Sequence, residues 1–161
     1  MDVMQLRPEY AAGQLEVSVA PADPVTTADL AVLVRETLRA ESLRHGMPPV
    51  FAPVAAAGAV GNGRHLHTSL RHEGRNLCRN GDDAAGMTPT GEAFFAGVLP
   101  ALMAIGAPCA ARFDPAANPY LLTGCVIAAG LAGVHDALTL PAPVARAIRH
   151  DSTGRIGCRP R

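Results

Sequence analysis

Lysine is absent from this chain. All fourteen basic residues are arginine, balanced by fourteen acids, so the formal charge is zero. Without lysine, Schiff-base chemistry and a lysine phosphate clamp are excluded on this chain. Without a basic surplus, phosphate-backbone binding has no driving force, and nucleic acid is not the expected partner. Charged residues are scarce at 17% and form no run of one sign, while apolar residues reach 48%. That balance excludes a disordered acidic or basic tail and permits a core. The four cysteines, Cys78, Cys109, Cys125 and Cys158, contain no C-x-x-C pair and are too sparse for a disulfide framework. They read as reduced thiols, and the expected compartment is the cytoplasm. Met1 to Tyr10 carries Asp2, Arg7 and Glu9 and no apolar h-region, so no secretory signal is expected. The longest apolar stretch, Leu121 to Val134, is broken by glycines and falls short of the roughly 20 residues a bilayer span needs. A soluble protein without membrane partners is expected. No internal repeat or linker is visible, and one α+β domain is the economical reading.

Gln14 to Val19 alternates polar and apolar, the period of a half-buried strand, with Leu15, Val17 and Val19 expected on a core. A helix should follow, capped by Asp23 with Pro24 at its first position, or starting at Thr26 or Thr27. Leu30, Leu33, Val34 and Leu38 recur at helical spacing, and Gly46 is a plausible stop. Val50 to Val54 reads as a short strand leading into a small-residue loop, Ala55 to Gly63. His65 to Leu70 alternates again, which puts His65, His67 and Ser69 on one side of a strand. Arg71 to Gly86 is a hairpin or an exposed loop. A second helix opens at Thr88-Pro89 and runs through Phe94, Phe95 and Val98, with Pro100 as a kink or break. The last helix is capped by Asn118, and Leu121 to Leu138 is apolar on most faces, so burial is expected. Pro141 and Pro143 block its continuation. The Arg-rich segment from Arg146 to Arg161 is expected to be loose, which leaves residues 1–145 as the domain.

Glu9 and Glu16 bracket a glycine turn and a strand. Two carboxylates so placed can converge on a hard divalent cation, or can be solvated surface acids. His65 and His67, with Ser69, suit metal ligation or nucleotide contact, and equally suit histidines hydrogen-bonded within a sheet. The Gly61-Asn62-Gly63 turn lets backbone N–H groups approach a ligand, or is simply a tight turn. It is not a P-loop, since no Lys-Ser/Thr ending follows.

Order and spacing say more than any one of these. Glu9-Tyr10-Ala11-Ala12-Gly13-Gln14-Leu15-Glu16 resembles the E-x-x-x-G-Q-x-E element of the glutamine synthetase family. Gly61-Asn62-Gly63-Arg64-His65-Leu66-His67-Thr68-Ser69 resembles the family's G-S-G-M-H-x-H-x-S ATP-region signature. Phe113-Asp114-Pro115-Ala116-Ala117-Asn118-Pro119-Tyr120-Leu121, followed by Ala128-Ala129-Gly130-Leu131-Ala132-Gly133, is similar to its D-P-A-A-N-P-Y-L…A-G-L-x-G segment. The resemblance implies a truncated catalytic domain of that family, α+β, with antiparallel sheet and packed helices. It implies ATP-dependent joining of glutamate to ammonia or an amine through γ-glutamyl phosphate, with Mg2+ or Mn2+ as the metals. Carried over by position, Glu9 and Glu16 match ligands of the metal nearer glutamate, and His65 matches a ligand of the ATP-side metal. His67 and Ser69 match nucleotide contacts, and Gly61 matches a backbone contact to the amino-acid substrate. No residue is assigned a catalytic role.

The departures are as specific. Family members carry a long block, beginning N-S-Y-K-R-L and ending R-x-E-x-R, where Pro108-Cys109 here runs almost directly into Arg112-Phe113. The block would supply arginines for carboxylate and phosphate, a glutamate over the ammonia site and a further metal-binding glutamate. At the junction that last position falls on Cys109 or Ala110, neither a carboxylate, and Arg112 is left without an assigned role. The family's N-terminal β-grasp domain and the strand bearing its E-x-E metal ligands have no counterpart in these 161 residues. Val54-Ala55 stands for Lys-Pro and Val60 for Asn, places where relatives of the glutamate–polyamine ligase sort also vary. Losing one transition-state charge stabiliser costs roughly 10²–10³ in rate, so the expected ligase activity is impaired. Family sites form between neighbouring subunits, which implies a homo-oligomer. The alternative is a non-catalytic metal- or nucleotide-binding remnant that associates with a full-length relative. A histidine-based metal module of unrelated origin is disfavoured by the third motif.

Overall fold

The computed structural model describes residues 2–58, 60–82, 86–104 and 112–142. The chain divides into two units, one of Met1–Leu66 with Arg112–Ala128, the other of His67–Ala111 with Ala129–Arg161. The expectations for Cys109, Ala110, Pro143, the Arg-rich segment from Arg146 and Cys158 lie outside the described residues.

In the first unit, β1 (Val3–Pro8) pairs antiparallel with β2 (Leu15–Val19), with Arg7 opposite Glu16 and Pro8 opposite Leu15. β2 matches its alternating sequence, whereas β1 has no such pattern and exists because β2 supplies the ladder. All six residues of β1 are exposed. The expected core face of β2 does not form: Leu15 is exposed and Val17 and Val19 are half-buried. A two-stranded ribbon with no third strand among the described residues leaves both of its faces short of cover.

Helix α1 (Pro24–Arg44) follows, and its start is the one its sequence dictates. The Asp23 carboxylate accepts from the N–H groups of Val25 and Thr26 at 3.0 and 3.1 Å, with Pro24 in the first turn where no donor is required. At the other end Gly46 takes φ +68°, and the Gly46 and Met47 N–H groups donate to Leu43 and Ser42 carbonyls. That left-handed closure is the reason for a glycine at this position. Ala28 is the residue α1 buries fully, Leu30, Val34 and Leu38 are half-buried, and Leu33 is exposed.

The expected strand at Val50 to Val54 is absent. Pro48, Pro49 and Pro53 remove the N–H donors a ladder would need. The Asn62 side-chain amide takes up the segment instead, donating to the Ala52 carbonyl at 2.9 Å and the Val50 carbonyl at 3.4 Å. β3 (Arg64–His65) pairs antiparallel with β6 (Arg112–Phe113), so His65 lies opposite Arg112. The expected longer strand through Leu70 is thus only two residues long. The alternation nevertheless persists as exposure, with His65, His67 and Ser69 exposed and Leu66, Thr68 and Leu70 half-buried.

In the second unit, β4 (Arg71–His72) and β5 (Arg75–Asn76) form a hairpin, one of the two alternatives for this segment, turned by Glu73 at φ 48° and Gly74 at φ 77°. Two successive left-handed residues match the right-handed twist of the strands. Thr88 then starts α2 (Pro89–Ala104): its hydroxyl accepts from the Gly91 N–H at 3.2 Å and donates to the Leu77 carbonyl at 2.8 Å. The helix continues through Pro100 rather than breaking there. Phe94 is 3% exposed, and Ala93, Ala96 and Val98 are also buried.

Helix α3 (Pro119–His135) begins in the first unit and ends in the second. Asn118 caps it, its Oδ1 accepting from the Tyr120 and Leu121 N–H groups at 3.0 and 3.2 Å. Within the second unit, Gly97 of α2 meets Gly133 of α3 with no room for side chains. A Cβ on Gly133 would lie 2.2 Å from the Ala93 carbonyl oxygen and 2.7 Å from the Gly97 Cα, and one on Gly130 would strike the Phe94 ring. The A-G-L-A-G sequence is therefore a packing device that brings two helix backbones together. The expectation that α3 is buried on most faces fails. Its buried residues, Pro119, Leu122, Val126, Gly130 and Gly133, form one stripe at three- and four-residue steps, while Leu121 and Leu131 are 69% and 59% exposed. The helix also stops at His135, short of Leu138, where Ala137 at φ 49° closes it through a Leu138 N–H donation to the Gly133 carbonyl. No helix among the described residues is long and apolar enough to cross a membrane.

Candidate functional site

The turn between β1 and β2 carries the two acids. Gly13 sits at φ 78°, the Glu9 N–H donates to the Gln14 carbonyl at 2.9 Å, and the Ala11 N–H donates to Gln14 Oε1 at 3.2 Å. Closing the chain this way brings the Glu9 and Glu16 carboxyl groups face to face, near enough to share a proton. That shared hydrogen bond pushes Glu9 above the usual carboxylate range, helped by partial burial and the Glu16 charge. The same bond, with a second from Arg7, holds Glu16 below that range. Their side chains retain 19% and 31% of their exposure.

Arg7 was not among the candidate residues, yet it touches both. Its Nη2 donates to Glu16 Oε2 at 3.1 Å, and its Nε lies 3.5 Å from Glu9 Oε1. The legible signal is spacing: Arg7 and Glu9 are two apart on an extended chain, hence on one side of it.

Gln14 also reaches outward. Its Nε2 donates to the Gly61 carbonyl at 3.2 Å and to Asn62 Oδ1 at 3.0 Å, tying the acidic turn to the glycine turn. Gly61 is required there, because a Cβ would approach the Pro53 carbonyl oxygen to 2.9 Å. The Asn62 N–H donates to that same oxygen at 2.8 Å. His65, on β3, follows directly, close enough that a positive charge on its ring would favour the ionised forms of both Glu9 and Glu16. Arg64 fixes β3 to the third motif, donating to the Ala117 carbonyl at 3.3 Å and to the Pro115 carbonyl at 2.5 Å. Half-burial of its guanidinium pulls the Arg64 pKa down, a cost that those two bonds offset. Gln14, Asn62 and Arg64 were also missed as site builders, since their partners lie 47 to 53 residues away.

The first unit thus assembles Glu9, Glu16, Gly61 and His65. His67 and Ser69 belong to the second unit, and both are exposed. No group of three or more His, Cys, Asp and Glu side chains close enough to hold one metal ion forms among the described residues. The donor set is a pair of oxygen ligands with an imidazole within electrostatic reach. Facing carboxylates that repel one another are what a divalent cation relieves, so the pair suits such an ion.

A family model described as glutamine synthetase, catalytic domain, matches residues 1–113 and 109–156. The chain belongs to the glutamine synthetase family. A γ-glutamylpolyamine synthetase of Streptomyces coelicolor is 40% identical over 189 residues, covering 88% of this chain and 41% of the relative. A glutamine synthetase of Halobacterium salinarum is 30% identical, covering 78% and 38%. Among solved structures, a GmaS–ADP complex matches with a TM-score of 0.78 at 28% identity, over 90% of this chain and 44% of that one. A glutamine synthase homologue matches at 0.77 and 30%, over 87% and 45%. The chain spans about two-fifths of the length of the curated relatives it matches. The glutamine synthetase-family match also locates the internal break. The 189 aligned positions exceed the 161 residues available, and the two matched stretches meet at residues 109–113, where the sequence lacks the family's block.

Proposed function

We propose that this chain is a glutamine synthetase-like ATP-dependent carbon–nitrogen ligase, joining glutamate to ammonia or an amine through γ-glutamyl phosphate, with its activity impaired by the internal deletion. The observation that carries the reading is the junction of the carboxylate pair to the glycine turn through Gln14. In this reading Glu9 and Glu16 hold one divalent cation, Mg2+ or Mn2+, and His65 contributes to a second on the ATP side. Assignment to two ions agrees with the lack of a single closed ligand triad among the described residues. Gly61 presents its backbone to glutamate, and His67 and Ser69 contact the nucleotide. The cations, when bound, neutralise charge on the transferring phosphoryl group. The chain's own residues set the ligand spacing: Gln14 fixes the acidic turn, Asn62 the glycine turn and Arg64 the strand bearing His65. An amine larger than ammonia is favoured by the 40% identity to a γ-glutamylpolyamine synthetase. The cytoplasm is the proposed compartment, and other copies of the chain or a full-length relative are the proposed partners.

The proposed impairment follows from the break at residues 109–113, where the family resemblance places a block that carries phosphate- and carboxylate-binding arginines. The same break favours the second reading, a metal- or nucleotide-binding chain without turnover. Phosphate release from ATP, with glutamate and either ammonia or a polyamine, decides between them when run beside Mn2+ titration. Slow, amine-dependent release supports the ligase. Metal binding without release supports the second reading. Mn2+ affinity unchanged in both Glu9→Ala and His65→Ala overturns the site assignment.

A further inference from the structure

We infer that Arg7 is a built-in counter-cation that competes with a divalent metal ion for Glu9 and Glu16, and so sets how tightly this chain holds that ion. The inference rests on the metal-binding reading of the two acids. One guanidinium reaches both carboxylates, at 3.1 Å to Glu16 Oε2 and 3.5 Å to Glu9 Oε1. Its position is imposed by the fold, because Arg7 is directly opposite Glu16 in the β1–β2 register and two residues from Glu9 on its own strand side. Without Arg7 the turn would hold two carboxylates with no ion-paired cation among the described residues. With it, one unit of positive charge already sits against both acids, so an incoming ion has to replace the Arg7 contacts as well as the bond between the two carboxyl groups.

A guanidinium is monovalent, planar and spreads its charge over three nitrogens. A divalent cation is compact and binds carboxylate oxygens directly, so it wins at sufficient concentration. It does so against repulsion from Arg7 or after displacing it, and either way the arginine raises the concentration required. Because the Arg7 side chain is 50% exposed, it can swing into solvent without leaving a buried charge.

The test is Mn2+ binding to the full chain, read by calorimetry and by the spin-resonance signal of free Mn2+, at two ionic strengths. Arg7→Gln should tighten binding by roughly tenfold at low salt, the scale of one like-charge repulsion at contact distance. The gain should shrink as the Debye length falls toward 8 Å. Arg7→Lys, which keeps the charge, should bind within about twofold of the parent. Arg39→Gln removes the same charge elsewhere on the chain and should change nothing. Binding that depends on Glu9 and Glu16 yet is unchanged or weakened by Arg7→Gln overturns the competition and leaves the metal site standing. Absence of Mn2+ binding in both the parent and Arg7→Gln overturns both, because freeing the acids then uncovers no site.

Discussion

Gln14 and Asn62, 48 residues apart, hydrogen-bond side chain to side chain at 3.0 Å. Each has further bonds that fix it: Gln14 to its own turn and to Gly61, Asn62 to Val50 and Ala52. The carboxylate turn and the glycine turn therefore move as one piece. A part-buried hydrogen bond contributes about 0.5–1.5 kcal/mol net. Gln14→Ala should cost about 1–2 kcal/mol in urea unfolding, and Asn62→Ala a similar amount. The double variant should cost less than the sum, with a coupling energy of about 0.5–1.5 kcal/mol. Strict additivity would mean that the two turns are independent.

The glycines of α2 and α3 should respond in opposite directions according to what surrounds them. Gly133→Ala and Gly97→Ala place a methyl 2.2–2.3 Å from a backbone oxygen of the facing helix, so each should destabilise by about 1–3 kcal/mol or more. Gly124 has nothing within 4 Å of its would-be Cβ. Gly124→Ala should stabilise by about 1 kcal/mol, the helix-propensity difference. Thermal melts of the three variants provide the comparison.

Ala137 ends α3 at φ 49°, where an L-residue carries a steric penalty. Gly46 does the same job at the end of α1 without that penalty. Ala137→Gly should therefore raise stability by about 0.5–1 kcal/mol, because relief of the left-handed strain outweighs the added freedom of the unfolded chain. A fall in melting temperature would show that the position is not strained.

The acid pair makes stability depend on pH in two opposing ways. Glu9 is raised by its bond to Glu16, so its contribution is present below the ordinary glutamate pKa and is lost as pH rises through its native value. Glu16 is lowered, so its contribution is present above the ordinary value and is lost as pH falls through its native one. Wherever both acids are ionised, their mutual repulsion makes the Glu9 charge a liability in the metal-free chain. Glu9→Gln should raise the melting temperature at pH 7 while weakening Mn2+ binding, and in Glu16→Gln the NMR-detected titration of Glu9 should fall back toward the ordinary value. A Glu9→Gln variant less stable than its parent at pH 7 would place the ion pair to Arg7 above the repulsion from Glu16.

Part of the site was legible because its chemistry is written in adjacent residues. Asp23 and Asn118 announce their helices through N–H groups two and three residues on, and Glu73-Gly74 turns its own hairpin. The first two motifs contain Glu9, Glu16, Gly61 and His65, and the family resemblance singles those residues out. Leu15 and α3 were misread for the opposite reason: alternation and apolarity say which face could be covered, and only the neighbouring elements decide whether it is.

The sequence by itself determined where the helices begin, the α+β character and the family, since caps, turns and motif spacings act within a few residues; the antiparallel sheet came from the family resemblance. Only the tertiary structure decided that Gln14 joins the two turns, that Arg7 bridges both acids and that Gly97 meets Gly133. Those contacts are set by register and helix crossing, which depend on closing loops of tens of residues, and no local pattern encodes where such a loop will close.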